Sequence, residues 1–323
     1  MSNIENQVLV SVSMLTYKHE LYIKQAIEGV LNQSTNFDFE LIIADDCSPD
    51  STNTIVDQLI KTHPNGFRIK YFRQKKNIGM HANGELATNE CKGKYIAICE
   101  GDDFWTDTSK LQKQVDFLEN NKEYGLVHHE ADYFFQKKQV LIRDYHRKNK
   151  IHVSDGFVFE ELLRHNNIYT PTVMFKRQLF EYYLAIDVNV RNKFLMSDYA
   201  MWLEFSQHCK FHYIDKSMAV YRVLVNSASN SDDFTKKIFF LKSYCEIKYY
   251  FIDKYKVNSI SRNAIREYYL QQASVFSLKY SKFINAWIFG NGLRLDTCKK
   301  IVLFFICNIL YYVKPLRILS KFI

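Results

Sequence analysis

Two pairs of neighbouring carboxylates are the residues of this chain best suited to chemistry. Asp102 and Asp103 follow an apolar, strand-like stretch, and Asp45 and Asp46 follow another. Like charges held this close repel each other, so such a pair persists most simply with a divalent cation between its oxygens. An acidic turn is the alternative, because aspartates are common turn formers after strands.

The pair Asp45 and Asp46 has two interpretations of its own. At the end of a strand, such side chains accept hydrogen bonds from a nucleobase or a ribose. Alternatively, they cap a helix that is predicted from Ser51. The chain has no glycine-rich phosphate loop, which disfavours a dehydrogenase or a P-loop ATPase. A diphosphate bound here would need another positive charge, and a metal held by Asp102 and Asp103 would supply it.

A further carboxylate, Asp198, opens a predicted helix together with Ser197. Within reach of a hydroxyl group it would act as a general base, whereas in a first helical turn it also stabilises the helix dipole. Trp202, on the same helix, would form a flat wall for a ligand or fill the core. The pair His128 and His129 has no third metal ligand at a suitable spacing, so it is structural or lines a ligand site.

The elements that must position these residues alternate between strand and helix. Continuous apolar strands separated by helices indicate a parallel sheet that is covered on both faces, with right-handed crossovers. Ligands bind beyond the carboxyl ends of such strands, which is where the carboxylates lie. The predicted strands are Val8–Leu15, Phe39–Ala44, Arg68–Phe72 and Tyr95–Cys99, and the predicted helices are Ile23–Leu31, Ser51–Thr62 and Asn83–Cys91.

The pattern changes along the rest of the chain. Strands and loops rich in aromatic residues and His are predicted from Leu126 to about Val158, and from about Asp232 the sequence is helical, basic and aromatic. We therefore predict one domain at 1–230 and a C-terminal α-helical region at 231–323. The further predicted elements are a strand at Ile168–Phe175 and helices at Lys110–Leu118, Ser197–Gln207, Phe234–Tyr255, Ser261–Tyr280 and Thr297–Val313.

Composition excludes several classes of protein. The chain has 323 residues, of which 47% are hydrophobic, so roughly two domains with a sizeable core are expected. Its net charge of +8 is too diffuse to indicate nucleic-acid binding. Seven cysteines without a Cys-x-x-Cys spacing indicate neither a zinc site nor a disulfide framework. The polar N-terminus shows no secretory signal, so we expect a cytoplasmic protein.

An apolar segment near the C-terminus has basic residues on both sides. Residues 301–313 number about 13, fewer than the roughly 20 needed to span a bilayer. An interfacial helix that docks on a membrane surface suits the cationic flanks. A core helix that covers the first domain is the alternative.

Several short motifs, taken in order, resemble the family 2 inverting glycosyltransferases, which have the GT-A fold. The most specific is the nucleoside-binding signature Asp45-Asp46-x-Ser48-x-Asp50-x-Thr52. The resemblance covers roughly residues 8–225 and implies a mostly parallel Rossmann-like sheet flanked by helices. The other matching segments are 10–17, 26–33, 77–79, 92–96, 100–105, 110–116 and 198–203.

The resemblance also implies roles for individual residues. Asp103, with Asp102 beside it, would bind Mn²⁺ or Mg²⁺, and Asp198 would be the catalytic base. Asp46 would be the main partner of the base of a UDP-linked sugar donor. The whole donor-binding set would be Thr16, Tyr17, Glu20, Asp45, Asp46, Asn77, Gly79, Asp102 and Arg222, with Trp202 and His128 near the acceptor.

Two departures from the family pattern motivate another hypothesis. Leu224 stands where relatives often carry a His after Tyr221 and Arg222, and no Lys or Arg occurs between Asn77 and Cys91. Neutralisation of the diphosphate then depends on the metal and Arg222. The alternative is a sugar-nucleotide or glycan-binding protein that has lost turnover. A nucleotidyltransferase is disfavoured, because such enzymes normally need a Gly-rich loop after the first strand.

At the level of the family, we expect hexosyl transfer to a glycan or lipid-linked acceptor in bacterial cell-envelope polysaccharide or lipopolysaccharide synthesis. The expected location is the inner face of the cytoplasmic membrane, with peripheral contact through the C-terminal helices.

Overall fold

The computed structural model describes residues 8–225, 227 and 233–279. The chain divides into two compact units, Met1–Asn192 with Ser197–Val223, and Lys193–Met196 with Leu224–Ile323. The domain boundary near residue 230 stays a prediction.

The first unit alternates strands and helices along most of its length, and the second unit is helical in its described part. The elements are, in chain order, β1 (Val10–Thr16), α1 (Ile23–Leu31), β2 (Phe39–Asp45), α2 (Thr52–Thr62), β3 (Ile69–Arg73), α3 (Met80–Glu90), β4 (Tyr95–Ile98), β5 (Phe104–Trp105), α4 (Lys110–Asn120), β6 (Tyr124–Phe135), β7 (Val140–Ile142), α5 (Tyr145–Lys148), α6 (Phe159–Arg164), β8 (Met174–Lys176), α7 (Leu179–Leu184), α8 (Val188–Arg191), α9 (Ser197–Phe205), β9 (Lys210–Val223), α10 (Phe234–Tyr255) and α11 (Arg262–Lys279).

The strands form one sheet in the order β3-β2-β1-β4-β8-β6-β9-β5, and β7 pairs with β6. The first four strands of this order run parallel, as the sequence predicts. Beyond β4 the sheet is mixed, because β8 is antiparallel to both of its neighbours while β6 and β9 are parallel to each other. The prediction of an α/β sheet flanked by helices is confirmed.

The buried pattern explains why these segments form strands and helices. Every residue of β2 is buried, as expected for a strand covered on both faces. In α1 the buried residues recur at helical spacing, so one face of the helix packs against the sheet. These residues are Ile23, Ala26, Ile27, Val30 and Leu31.

The predicted strand at Ile168–Phe175 is wrong in its first part. Thr170–Thr172 form a 3₁₀ turn around Pro171, and β8 begins only at Met174. Proline has no N–H for a sheet ladder and its ring fixes φ, so it favours the first turn of a helix.

The amino ends of the central strands are tied together by one buried carboxylate. Glu40 on β2 accepts hydrogen bonds from the Ser11 hydroxyl at 2.5 Å and from the Lys92 N–H at 3.0 Å. Lys70 on β3 lies 2.6 Å from its other oxygen. Burial alone would raise the pKa of Glu40, but Lys70 and Ser11 lower it. These bonds fix the end of the sheet opposite the carboxylate pairs.

In the second unit, α10 and α11 confirm two of the predicted helices. Lys248 is buried there with its ammonium group over the rings of Tyr244 and Tyr268, at 4.1 and 5.3 Å from their centroids. Among the described residues, no helix is both long and apolar enough to cross a membrane. The predicted helix at Thr297–Val313 and the interfacial segment 301–313 lie outside the described residues.

Candidate active site

The loops that follow β1 and β2 are cross-linked by hydrogen bonds. The N–H of Lys18 donates to the Ser48 hydroxyl at 3.0 Å, and the N–H of Ser51 donates to a carboxylate oxygen of Glu20 at 2.9 Å. Tyr17, at the tip of the first loop, is 39% exposed. The structure therefore brings Tyr17 and Glu20 to the loop that carries Asp45 and Asp46, as the sequence predicts for strand ends at one edge.

Asp45 is fully buried and organises this loop. Its carboxylate accepts hydrogen bonds from the N–H of Ser48 at 2.8 Å and from the Tyr71 hydroxyl at 2.7 Å. The Arg73 guanidinium lies 3.6 Å away. All these partners are protein groups, so Asp45 holds the shape of the pocket.

Asp46 holds the loop that follows β3. One oxygen accepts from the N–H of Ile78 at 2.6 Å and the other accepts from the N–H of Gly79 at 3.0 Å. Gly79 has a φ of +88°, which side chains other than glycine rarely adopt. Asp46, Asn77 and Gly79 are therefore neighbours, and the exposed Ile78 side chain lies at the rim beside them.

The acidic loop after β4 is anchored to β9. The N–H of Arg222 donates to Oδ1 of Asp103 at 2.7 Å, and Asp103 is only 3% exposed. Burial, followed by the charges of Asp102 and Glu100, raises the pKa of Asp103 well above its usual value. Nε2 of His19 lies 4.0 Å from the Asp102 carboxylate. The loop therefore holds several carboxyl groups close together and largely shielded from water.

Glu100 belongs to this cluster, although the sequence assigned it no role. Burial raises its pKa to about 8, and the charges of Asp102 and Asp198 add to the shift. Its Oε2 is buried and has no hydrogen-bond partner among the described residues. The charges of Asp102 and Asp198 therefore both act on Glu100. The sequence could have indicated Glu100 only through its place in the acidic run Glu100–Asp103. Its proximity to Asp198 can be seen only in the folded structure.

Asp198 lies in the first turn of α9, as predicted. Its Oδ2 accepts a long hydrogen bond, 3.4 Å, from the Thr170 hydroxyl. Burial raises the pKa of Asp198, and hydrogen bonds from the Tyr199 N–H and from Thr170 oppose that effect. A carboxylate with a raised pKa binds a proton more readily, which suits a general base.

The Arg222 side chain is held by protein acceptors. Nε donates to the main-chain oxygen of Asp102 at 2.7 Å, and the two terminal nitrogens donate to Gln136 and Gln25 at 2.8 Å each. The guanidinium also lies 4.9 Å from the centre of the Tyr22 ring. A direct contact with a diphosphate would require Arg222 to exchange one of these partners.

The two acceptor candidates are buried. Trp202 has no exposed surface, and its ring lies against Phe175 and Phe205. This burial favours the interpretation that Trp202 fills the core. His128 is 2% exposed, and burial lowers its pKa to about 3, which favours a structural neutral imidazole.

Three buried polar atoms indicate that the site accommodates a ligand. Within the part of the chain that the structure describes, Oγ1 of Thr16, Nδ1 of His19 and Oε2 of Glu100 lack hydrogen-bond partners. A Cβ on Gly101 would lie 2.8 Å from both Thr16 Oγ1 and His19 Nδ1, so glycine keeps this space open. Buried polar groups normally have partners, so a bound polar ligand would complete them.

The carboxylate cluster suits a hard divalent cation, which prefers oxygen ligands. No three His, Cys, Asp or Glu side chains of the described residues are arranged to hold a metal by themselves. A cation at Asp102 and Asp103 would therefore take further oxygens from a bound substrate, as Mg²⁺ does in phosphate sites.

A parallel α/β sheet with an acidic cluster beyond its carboxyl ends is typical of proteins that bind nucleotides. The chain belongs to glycosyl transferase family 2, whose model matches residues 11–184.

Other proteins are similar to this chain in sequence. An uncharacterized protein of Mycobacterium tuberculosis is 33% identical over 216 residues, which cover 66% of this chain and 58% of that protein. The chain thus spans somewhat more than half the length of this relative. A putative teichuronic acid biosynthesis glycosyltransferase of Bacillus subtilis is 26% identical over 262 residues, covering 80% of this chain and 97% of that protein.

Solved structures share the fold at low sequence identity. TarS 1-349 of S. aureus, crystallised with UDP, matches with a TM-score of 0.56 at 15% identity, over 94% of this chain and 88% of that one. The mannosyltransferase PcManGT of Pyrobaculum calidifontis, in complex with GDP-Man and Mn²⁺, matches with a TM-score of 0.58 at 14% identity, over 94% and 81%. The fold is therefore of the GT-A type.

Proposed function

We propose that this protein is a metal-dependent, inverting glycosyltransferase. It moves a hexosyl group from a nucleoside-diphosphate sugar, UDP-linked, to a hydroxyl group of a glycan or lipid-linked acceptor. The observation that carries the proposal is the acidic cluster beyond β4, in which Oε2 of Glu100 is buried without a hydrogen-bond partner and the charges of Asp102 and Asp198 both act on this carboxyl group. Leaving-group stabilisation and proton abstraction thereby fall within one acidic cluster.

The donor nucleoside lies between the loops after β1 and β2. Tyr17 offers an exposed ring for the base, and the unpartnered Thr16 hydroxyl offers a hydrogen bond. Asp46 contacts the base while it holds the next loop through the N–H groups of Ile78 and Gly79. Glu20 links the two loops by accepting from the Ser51 N–H, and Asp45 holds the second loop by accepting from the Ser48 N–H. The UDP and GDP-Man complexes of TarS and PcManGT support a nucleotide-sugar donor.

Asp103 and Asp102 hold the Mn²⁺ or Mg²⁺ ion. When bound, the cation neutralises charge on the departing diphosphate. Asp103 suits this role, because burial and the nearby charges of Asp102 and Glu100, which raise its pKa, favour either a proton or a cation at its carboxylate. The complex of PcManGT with Mn²⁺ supports the choice of metal.

Asp198 takes the proton of the attacking acceptor hydroxyl. Its carboxylate is oriented by Thr170, and burial raises its proton affinity. The hydroxyl attacks the anomeric carbon from the side opposite the diphosphate, the bond to the diphosphate oxygen breaks, and the configuration inverts in one displacement.

The biological setting is envelope polysaccharide or lipopolysaccharide synthesis at the inner face of the cytoplasmic membrane. The Bacillus subtilis relative, named for teichuronic acid biosynthesis, supports an envelope role. The C-terminal region would provide peripheral membrane contact through the basic and apolar residues of 299–321.

A second candidate is a sugar-nucleotide or glycan-binding protein without turnover. The Arg222 side chain donates its hydrogen bonds to Asp102, Gln136 and Gln25. This favours the second candidate, because an arginine held in this way donates no hydrogen bond to a leaving diphosphate.

Calorimetric titration of UDP, GDP and dTDP, with and without Mn²⁺, tests the donor site. Wild type binds one nucleotide in a Mn²⁺-dependent manner, and Asp103→Ala loses that dependence. The exposed helix residue Asp116 supplies a matched control, and Asp116→Ala binds like wild type. Binding of no nucleotide by the wild type would rule out the transferase proposal. Nucleotide binding without donor hydrolysis or transfer would select the second candidate.

A further inference from the structure

Four tyrosine side chains from separate segments form one cluster. Tyr133 on β6 stacks on Tyr145 at the start of α5, with ring centroids 3.8 Å apart and an interplanar angle of 15°. It also contacts the rings of Tyr169 and Tyr221 at 4.9 and 5.0 Å. All four side chains are half-buried, so the cluster keeps aromatic surface at the solvent boundary. We call Tyr133, Tyr145, Tyr169 and Tyr221 the tyrosine cluster.

The cluster reaches the proposed base at one end. Tyr169 directly precedes Thr170, and the Thr170 hydroxyl lies 3.4 Å from the Asp198 carboxylate. Tyr169 is therefore the chain neighbour of the residue whose hydroxyl group contacts the proposed base.

At its other end, the cluster includes the chain neighbour of the residue that bonds the proposed metal carboxylate. Tyr221 directly precedes Arg222, whose N–H binds Asp103. Successive residues of a strand point to opposite faces, so Tyr221 lies on the face opposite to the Arg222 guanidinium. The rings of Tyr221 and Tyr169 are 5.9 Å apart, so the chain neighbour of Arg222 and the chain neighbour of Thr170 belong to the same cluster.

His146 and Glu130, which are both buried, support the cluster. The His146 ring stacks on Tyr169 with centroids 4.7 Å apart and an angle of 20°. Its Nδ1 lies 2.9 Å from the Glu130 carboxylate and its Nε2 lies 3.0 Å from the Asn167 carbonyl oxygen, so both nitrogens face acceptors. Glu130 is fully buried. Such a satisfied polar network fixes the orientation of the Tyr169 ring.

We propose that the tyrosine cluster binds a pyranose ring of the acceptor and presents its hydroxyl group to Asp198. This inference rests on the proposed transferase function and names the acceptor class as a carbohydrate. A pyranose ring has a face of C–H bonds and a rim of hydroxyl groups. Tyrosine matches both, because its ring is apolar and its hydroxyl makes hydrogen bonds.

A lipid chain fits this surface less well. The phenol groups and the nearby carboxylate of Asp198 would lose hydration against hydrocarbon without gaining hydrogen bonds, which is unfavourable. For a lipid-linked acceptor, the cluster therefore holds the sugar and the lipid lies elsewhere.

Saturation-transfer difference NMR with methyl pyranosides tests the inference on the full-length protein. The probes are the methyl glycosides of glucose, galactose, mannose and N-acetylglucosamine, each added with Mn²⁺ and with UDP or GDP. At least one probe receives saturation at its ring C–H protons in the wild type. Tyr169→Ala and Tyr145→Ala weaken that binding by about five- to tenfold, the loss expected for one aromatic contact.

Two kinds of control separate contact from folding. Tyr182, an exposed tyrosine whose ring stacks on His208, provides a matched control, and Tyr182→Ala leaves pyranoside binding unchanged. Tyr145→Phe keeps the ring and retains most of the binding even if Tyr145→Ala proves unstable. Nucleotide binding and donor hydrolysis by water stay as in wild type for Tyr182→Ala.

The outcomes distinguish this inference from the proposed function. A wild type that binds a nucleoside diphosphate but no pyranoside would overturn the carbohydrate platform and leave the donor site intact. Pyranoside binding that is insensitive to alanine at both Tyr145 and Tyr169 would overturn it as well. Failure to bind any nucleoside diphosphate would remove the transferase proposal on which the inference rests.

Discussion

The main-chain N–H of Arg222 donates a hydrogen bond of 2.7 Å to Oδ1 of Asp103, and the two residues are 119 positions apart in the chain. The bond fixes the acidic loop to β9, so the position of the proposed metal carboxylate depends on strand pairing far from it in sequence. Removing the charge of Asp103 and removing its acceptor oxygen should therefore have separable effects.

Asp103→Asn keeps an oxygen for the Arg222 N–H and removes the negative charge. We expect it to unfold at a temperature close to that of wild type and to lose Mn²⁺-dependent nucleotide binding. Asp103→Ala also leaves the buried N–H without an acceptor, which costs about 1–3 kcal/mol of unfolding free energy. Denaturant unfolding and calorimetry measure the two effects. Equal stability of the Asn and Ala variants would contradict the structural role of the bond.

Glu100 makes stability depend on pH. Its folded pKa of about 8 exceeds the ordinary value of 4.5, so the folded state binds more protons than the unfolded state between these two values. Stability from this group is complete below about pH 4.5 and is lost as the pH rises through 8. Glu100→Gln removes this component of the slope, which thermal unfolding from pH 5 to 9 detects. Mn²⁺ reduces the slope in wild type. A slope unaffected by the substitution would show that Glu100 is not desolvated.

Asp198→Asn removes the proposed base and changes little else. We expect nucleotide affinity within about twofold of wild type and a loss of transfer of at least 10²-fold, the usual contribution of general base catalysis. Asp187 is the matched control, because its exposed carboxylate only caps α8 by accepting from the Asn189 N–H, which Asn also does. Transfer by Asp198→Asn at the wild-type rate would exclude Asp198 as the base.

Lys110 is a buried cation that the proposed mechanism does not use. Its ammonium group donates to Gln114 at 2.8 Å and lies 3.9 Å from the centre of the Trp105 ring. Burial lowers its pKa to about 7 from 10.5, so the unfolded state binds more protons between these values and stability falls as the pH drops toward 7.

Lys110→Met removes this cost and raises stability most at pH 7 and below, by on the order of a few kcal/mol, since each pKa unit corresponds to about 1.4 kcal/mol. Chemical denaturation at pH 6 and pH 10 measures the difference. Lys122, which is exposed and paired with Glu119, is the control, and Lys122→Met changes stability by less than about 1 kcal/mol at either pH. Destabilisation by Lys110→Met at pH 6 would mean that its hydrogen bond outweighs desolvation.

The sequence predicts the parallel half of the sheet because its signals are local. The buried residues of α1 recur at helical spacing, and β2 is a continuous apolar run that stops at Asp45. By contrast, β9 was not predicted. Its centre contains Asp215, Lys216 and Ser217, which do not follow a strand pattern, and its pairing with β6 shifts register twice.

In the site, too, some features could be predicted from the sequence and others could not. Asp46 and Asp103 end strands that a parallel sheet must bring to one edge, so their proximity to the same crevice follows from order along the chain. The hydrogen bonds of the Arg222 side chain and the shifted pKa of Glu100 depend on residues that are distant in the chain. No local pattern encodes these contacts.

Tyr169 and Thr170 are joined by a single peptide bond, and Pro171 follows in the same rigid turn. If the tyrosine orients the acceptor and the threonine orients the base, then glycan choice and turnover are linked traits in this protein. A substitution at Tyr169 that admits a new sugar will also displace the group that activates it. Redesign of acceptor preference is therefore better begun at Tyr133 or Tyr145, where the backbone has no direct connection to the base.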